Sequence, residues 1–227
     1  MKMIDMQFVE EYANRDWIRT RLDELSQGGD QGFTCQRWLR ESLPKRAVFE
    51  QLYGDLLEPG GKCVLDIGGG VTSFTRELAA RNDYTLVDLM AHDSGMDGAA
   101  AAMAGTGRLV TGDWWAFDSP LQFDVVVAND LFPNVDQRLA LFIEKWLPRC
   151  GQMRLSLTWY DDPRWYVTKR VDGDEIFTVL AWDGERTLST LLKFRENIID
   201  FRPEFFSSAG KSPYPNGRRV CVIWLEN

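Results

Sequence analysis

The sequence predicts a doubly wound α/β fold, in which helices cover both faces of a mostly parallel, seven-stranded sheet with an antiparallel final strand. Two observations carry this prediction. Between about residues 62 and 160, short apolar runs typical of buried parallel strands alternate with stretches of helical periodicity. The first apolar run, VLDI, is followed by three glycines and then by a helical stretch. Ligands of such sheets bind beyond the carboxyl ends of the strands, so residues directly after each apolar run are the functional candidates.

The first 57 residues are predicted to form a helical lid that covers the substrate. Apolar periodicity predicts one amphipathic helix over about 6–26 and a second helical stretch over about 34–57, interrupted at Pro44. The turn sequence Pro59–Gly61 then ends this segment. We therefore expect a 1–57 lid and a main domain over 58–227.

Apolar patterns predict the strands and helices of the main domain. The predicted strands are CVLDI, YTLVDL, LVTGD, FDVVVAND and MRLSLTW, and the predicted helices are TSFTRELAAR and RLALFIEKWL. A β-hairpin insertion is expected at about 163–183, with its turn at Asp172 and Gly173. Asp183 is expected to cap the next stretch, GERTLSTLLKFREN, which fits a helix or a third strand. NIIDF and RRVCVIWLE are predicted to close the fold as an antiparallel pair.

Composition excludes several classes of function. The 227 residues include 26 Lys and Arg against 34 Asp and Glu, a formal charge of −8, which disfavours nucleic acid as a partner. The absence of an apolar run of about 20 residues, or of a signal peptide, predicts a cytoplasmic protein that does not enter membranes. Four dispersed cysteines and one histidine make a metal site unexpected. The oligomeric state is open.

Acidic residues end three successive predicted strands. Asp66 precedes the glycines, Asp88 follows 22 residues later, and Asp113 ends the next strand, directly before Trp114. The spacing resembles the class I S-adenosylmethionine-dependent methyltransferases, which have a Rossmann-like sheet, and the resemblance covers about residues 62–160. A triphosphate site is disfavoured because no Lys follows the glycines. A dinucleotide site is disfavoured because Ser73 stands at the third glycine position.

The resemblance implies S-adenosylmethionine as cofactor and S-adenosylhomocysteine as product. It implies that the glycine loop passes under the amino-acid part of the cofactor, and that Asp66 orients either this loop or the methionine amino group. Asp88 would accept hydrogen bonds from the ribose hydroxyls, Asp113 would bind the adenine amino group, and Trp114 would pack on the adenine ring. The full expected cofactor set is Asp66, Gly68, Gly69, Gly70, Asp88, Leu89, Gly112, Asp113, Trp114 and Asn129.

Two residues are candidates for proton transfer. Asp130 lies at the end of the fourth predicted strand, which in this family is beside the transferred methyl group, so it is the first candidate for a base or an acceptor orienter. The alternative is that Asp130 caps the following helix, or is solvated while Asp136 caps it. His92 is the second candidate, and its alternative is a surface position. The sequence Asn129–Phe132 lacks both prolines of the Asn-Pro-Pro-Tyr/Phe signature, which disfavours nucleobase or glutamine acceptors.

The leading functional hypothesis is a methyltransferase acting on an oxygen or nitrogen of a small molecule, for example a sugar or a natural-product intermediate. The alternatives are a protein or RNA methyltransferase, disfavoured by the lack of a basic patch, and a non-catalytic cofactor-binding subunit. The aromatic residues near the hairpin could bind the acceptor or form ordinary cross-strand pairs. The expected acceptor-binding residues are Trp38, Phe132, Tyr160, Arg164, Trp165 and Tyr166.

Overall fold

The computed structural model describes residues 1–25, 32–90, 107–169, 176–207 and 210–227. Within these ranges the main sheet has seven strands, which confirms the predicted fold class. They are β1 (Lys2–Met3), β2 (Cys63–Ile67), β3 (Asp83–Asp88), β4 (Arg108–Thr111), β5 (Phe123–Phe132), β6 (Cys150–Trp159) and β9 (Arg219–Glu226). The hairpin strands β7 (Arg164–Lys169) and β8 (Ile176–Ala181) form a separate two-stranded sheet. The predicted hairpin turn at Asp172 and Gly173 lies outside the described residues.

The strand order of the main sheet is β1-β9-β6-β5-β2-β3-β4. Strands β2 to β6 are parallel, β9 is antiparallel to β6, and β1 is antiparallel to β9. From β2 the chain progresses to β3 and β4 in one direction, and then returns to build β5 and β6 on the other side of β2. The carboxyl ends of β2 and β5 therefore flank the crevice in which such sheets bind ligands.

Seven α-helices are described, and they cover both faces of the sheet. They are α1 (Met6–Ala13), α2 (Trp17–Leu25), α3 (Thr34–Glu41), α4 (Leu43–Tyr53), α5 (Ser73–Arg81), α6 (Leu139–Trp146) and α7 (Gly184–Leu191). Buried residues of α1 to α5 form one core, and those of α6 and α7 form the other. None of the helices in the described ranges has the length and apolar character needed to cross a bilayer.

The N-terminal helices break at different places from those predicted. The described residues 6–25 form two helices: α1 ends at Ala13 with Asn14 as its C-cap, and Asp16 precedes α2 and accepts a hydrogen bond from the Arg19 N–H in its first turn. In the second stretch, Ser42 ends α3 and caps α4 by accepting from the Lys45 N–H. Pro44 lies in the first turn of α4, where a missing N–H costs nothing, so it begins a helix instead of interrupting one.

The seventh strand is not the one that the sequence predicts. NIIDF contributes only an isolated bridge between Ile198 and Leu225 on the outer edge of β9. On this edge of β9, β1 is the paired strand: Lys2 pairs with Val222 and Met3 pairs with Cys221. Thus the chain start is part of the sheet as well as of the predicted lid. The sequence GERTLSTL, which fits either a helix or a strand, forms helix α7. Asp183 caps this helix as expected, by accepting from the Arg186 N–H.

Candidate active site

A cavity of about 740 Å³ lies at the carboxyl ends of the parallel strands. This volume is within the range of about 300–1,000 Å³ that is usual for small-molecule sites. Its floor comes from the sheet, one wall from α3 and α4, and part of the cover from the β7–β8 hairpin. Both the predicted cofactor loop and Asp130 line this single cavity.

The glycine loop after β2 has a conformation and a packing that require glycine. Gly68 and Gly70 have φ angles of 69° and 65°, in the left-handed region that favours glycine. A Cβ atom at Gly69 would lie 2.5 Å from both carboxylate oxygens of Asp66, and one at Gly70 would overlap the Cys35 side chain. The loop is therefore packed closely between β2 and α3, with its backbone at the cavity surface.

Asp66 is buried below this loop between two tyrosines. The Tyr53 hydroxyl donates to Oδ1 at 3.1 Å and the Tyr84 hydroxyl donates to Oδ2 at 2.5 Å. Burial raises the pKa of Asp66 to about 7, against the opposing effect of the two tyrosine hydrogen bonds, and the nearby charge of Asp88 adds to the rise. Asp66 therefore titrates near neutral pH.

Asp88 ends β3 and is held by backbone amides. Its Oδ2 accepts from the Gly70 N–H at 3.0 Å, and its Oδ1 accepts from the Met90 N–H at 2.6 Å. The Gly112 N–H donates to the Asp88 carbonyl at 3.0 Å and thereby joins the ends of β3 and β4. Leu89 projects at the rim, where it is 55% exposed. These contacts bring Asp88 together with the glycine loop and with Gly112, which directly follows β4.

Asp113 belongs to a network around Arg138 that the sequence does not indicate. Arg138 Nη2 contacts both oxygens of Asp113, at 3.1 and 2.9 Å, and also pairs with Asp136. The Trp114 Nε1–H donates to Asp136 at 2.7 Å, and the Arg138 guanidinium lies 4.6 Å from the centroid of the Trp114 ring. The Trp114 ring is otherwise buried against the core. Arg138 therefore links both predicted adenine-side residues.

A bulge at the end of β5 turns the next two candidates toward the cavity. Ala128 pairs with Leu155 of β6, but the next pair is Phe132 with Leu157, so β5 has two residues more than β6 over this interval. Ser156 holds the bulge, because it donates to Asn129 Oδ1 and accepts from the Asp130 N–H. Asp130 has a φ angle of 54°, a conformation that Asp tolerates better than most residues.

Asp130 forms two ion pairs across the cavity wall. Lys45 of α4 donates to Oδ2 at 2.8 Å, and Arg218, just before β9, donates to Oδ1 at 3.0 Å. Burial by itself would raise the pKa of Asp130, but Arg218 and Lys45 outweigh it and lower the pKa to about 2. Asp130 does not cap helix α6, whose first turn is preceded by Arg138.

The predicted acceptor residues are only partly brought to the cavity. Trp38 and Tyr166 line it, and the Tyr166 hydroxyl donates to Asn134. Phe132, Tyr160, Arg164 and Trp165 are not among the described residues that line the cavity, and their contact with the acceptor stays a prediction. Phe132 is buried against Phe142, the Tyr160 ring is covered by Arg164, and Trp165 is 68% exposed. His92 lies outside the described residues.

The residues that sequence reasoning missed are mainly the cations Lys45, Arg138 and Arg218. Lys45 and Arg218 are far in sequence from Asp130, and Arg138 is 25 residues from Asp113 although it also pairs with the nearby Asp136. No local spacing marks a lone Lys or Arg as part of such a site. No group of His, Cys, Asp and Glu within the described ranges could hold a metal ion.

No protein-family model and no curated protein matches the chain. Solved structures do match. The Burkholderia thailandensis 1,6-didemethyltoxoflavin-N1-methyltransferase, with S-adenosylhomocysteine bound, is 15% identical, with a TM-score of 0.55, over 96% of this chain and 90% of its own. The chain has the class I S-adenosylmethionine-dependent methyltransferase fold.

Two further structures share this methyltransferase fold. A DhpI–SAH complex is 16% identical with a TM-score of 0.54, over 96% of this chain and 97% of that one. The N-terminal domain of EvdMO1, with SAH and D-fucose, is 15% identical with a TM-score of 0.53, over 93% of this chain and 96% of that one. The likeness therefore extends beyond residues 62–160 and includes most of the first 57.

Proposed function

We propose that this protein is an S-adenosylmethionine-dependent methyltransferase that acts on an oxygen or nitrogen atom of a small molecule. The observation that carries the proposal is the single cavity lined both by the glycine loop with Asp88 and by the β5 bulge with Asp130. A cofactor beside the glycine loop and Asp88 would share this cavity with an acceptor beside Asp130. Holding two reactants close and aligned is the main contribution that a protein makes to a displacement reaction.

The residues at the sheet ends fit the cofactor. The close packing around Gly69 and Gly70 leaves backbone, not side chains, at the surface where the amino-acid part would lie. Asp88 is fixed by two amide donors at the position proposed for the ribose, and Asp113 and Trp114 are proposed for the adenine. When bound, S-adenosylmethionine supplies an electrophilic methyl group to the acceptor.

A small acceptor is favoured by the cover over the cavity. Trp38 and Lys45 from the 1–57 segment and Tyr166 and Val179 from the hairpin line the cavity, which supports a lid that excludes water. A macromolecular substrate would require a more open surface. The structures with bound 1,6-didemethyltoxoflavin and with D-fucose are also of proteins that bind small molecules, and they support the same choice.

We assign Asp130 an orienting role. Its carboxylate is ionised at neutral pH between Lys45 and Arg218, and a group whose pKa is about 2 is a weak proton acceptor. Its ion pairs hold two cations at the acceptor end of the cavity. His92 stays a prediction for proton transfer.

The test is calorimetric titration with S-adenosylhomocysteine. Asp88→Ala removes hydrogen bonds to a charged acceptor, worth about 1.5–3 kcal/mol each, so affinity should fall by about ten-fold to over a hundred-fold. The matched control is Asp83→Ala, which removes an exposed carboxylate from the opposite end of the same strand. Wild-type affinity in the control and weak binding in Asp88→Ala are expected. Binding that is unchanged in Asp88→Ala would refute the ribose assignment, and no binding to wild type would refute the cofactor.

A further inference from the structure

The acceptor end of the cavity carries more positive than negative charge. Two cations, Lys45 and Arg218, meet one carboxylate, Asp130. The side chains of the three residues are 24%, 12% and 30% exposed, respectively, so water screens them only partly. The Lys45 ammonium also lies 4.5 Å from the centroid of the Trp38 ring, and the Arg218 guanidinium lies 4.4 Å from that of Tyr214. The cluster therefore has one net positive charge held in place by aromatic rings.

Two polar atoms in the same wall have no hydrogen-bond partner among the described residues. They are Thr158 Oγ1 and Arg218 Nε. Thr158 is 97% buried and lines the cavity. It pairs in register with Val220, two residues after Arg218, so both residues lie at one edge of the cavity floor. A buried polar group without a partner is costly, and such groups are usually satisfied by a ligand or water.

The chemistry of these groups selects an anion. Arg218 donates to Asp130 through Nη1, and its Nε–H lies on a different edge of the guanidinium, where planar two-oxygen groups bind. The Thr158 hydroxyl can donate to an oxygen of the same group. A singly charged oxyanion would neutralise the cluster and accept from both unpartnered atoms. A cationic acceptor would instead meet two cations.

We propose that Lys45, Thr158 and Arg218 form a subsite that anchors a carboxylate group of the methyl acceptor. This inference rests on the proposed methyltransferase function, because it concerns the second reactant of that reaction. The carboxylate serves as an anchor, so the atom that is methylated lies elsewhere on the acceptor. Asp130 is a positioning residue that keeps both cations in place.

The experiment compares benzoate with benzamide, which have the same ring and similar shape but differ in charge. Their affinities for the full chain are measured by calorimetry or ligand-observed NMR, with and without saturating S-adenosylhomocysteine. We expect benzoate to bind about ten-fold or more tightly than benzamide. Arg218→Gln, which keeps an amide donor toward Asp130, and the near-isosteric Thr158→Val should each reduce that preference. The matched control is Arg219→Gln, since Arg219 pairs with the exposed Asp161 outside the cavity.

The outcomes separate this inference from the proposed function. Equal affinity of the two probes, absence of binding of either, or equal effects of Arg218→Gln and Arg219→Gln would overturn the carboxylate subsite. S-adenosylhomocysteine should bind the Thr158→Val variant as it binds wild type, and this readout reports on the cofactor site alone. If that compound fails to bind wild type, the methyltransferase proposal fails, while the comparison of the probes without it still decides whether the anion subsite exists.

Discussion

Asp66 and Asp130 are two carboxylates in the wall of one cavity, the first buried and the second partly exposed, and their pKa values shift in opposite directions. Asp66, below the glycine loop, contacts two neutral hydroxyl donors, and burial raises its pKa to about 7. Asp130, on the β5 bulge, is also partly removed from water, but Arg218 and Lys45 lower its pKa to about 2. Burial acts in the same direction on both. The difference comes from whether the partners carry charge.

The two ends of the cavity differ in charge as these two carboxylates differ in their partners. The proposed cofactor end is built from acids held by backbone amides and tyrosines, with Arg138 at its far side. The acceptor end is built around cations. An acidic end suits the ribose hydroxyls and amino groups of a cofactor, which donate hydrogen bonds, whereas the cationic end suits an acceptor anion. The sheet thus places opposite chemistries at neighbouring strand ends.

A large loss of stability is expected from removing the paired carboxylate. Asp130→Ala leaves two partly buried cations without their partner and should lower the free energy of unfolding by about 2–3 kcal/mol. Urea unfolding of wild type and variant at pH 7 measures this loss in the free energy of unfolding. The control is Asp161→Ala, which breaks an ion pair whose carboxylate is 67% exposed and should cost less than about 1 kcal/mol. Equal losses in the two variants would mean that the acceptor-end ion pairs contribute no more than a surface pair.

The second effect is a pH dependence of stability that comes from Asp66. Its pKa is about 7 in the folded protein and about 3.9 in an unfolded chain, so the folded state binds the proton more tightly. This contribution to stability is fully present below about pH 4 and is lost as pH rises to about 7, with a slope of at most about 1.4 kcal/mol per pH unit. The pKa of Asp130 is lowered in the folded protein, so its contribution to stability depends on pH in the opposite direction and is lost as pH falls toward 2.

The measurement is the free energy of unfolding between pH 5 and 8 for wild type and Asp66→Asn. The neutral amide should be insensitive to pH at this position, so the difference between the two proteins should change in favour of the variant as pH rises. A difference that stays constant over this interval would show that Asp66 ionises normally, and the contrast with Asp130 would then disappear.

The two ends also differ in how far the sequence predicts them. The glycine loop and its strand-end acids are local: each follows directly on an apolar run, and a parallel sheet brings such ends together. The acceptor end depends on contacts between residues 85 and 88 positions apart, and on a bulge that no residue pattern marks. Phe132 illustrates the point, because the bulge directs Asp130 to the cavity while the Phe132 side chain lies in the core. The strand β1 was missed because two residues carry no periodicity.

The smallest effect distinguishes the two roles predicted for Asp66. If Asp66 contacts the amino group of the cofactor, that positive charge should lower its pKa, and binding at pH 7 should release about half a proton, the fraction bound by a group with a pKa near 7. If Asp66 only supports the loop beside Gly69, its protonation should not change on binding. Titration with S-adenosylhomocysteine in two buffers of different ionisation enthalpy measures the released protons. Asp66→Asn provides the baseline, because protons released by the ligand or by other groups are common to both proteins. An equal release in wild type and variant would therefore assign Asp66 to the loop, and a larger release in wild type would assign it to the amino group.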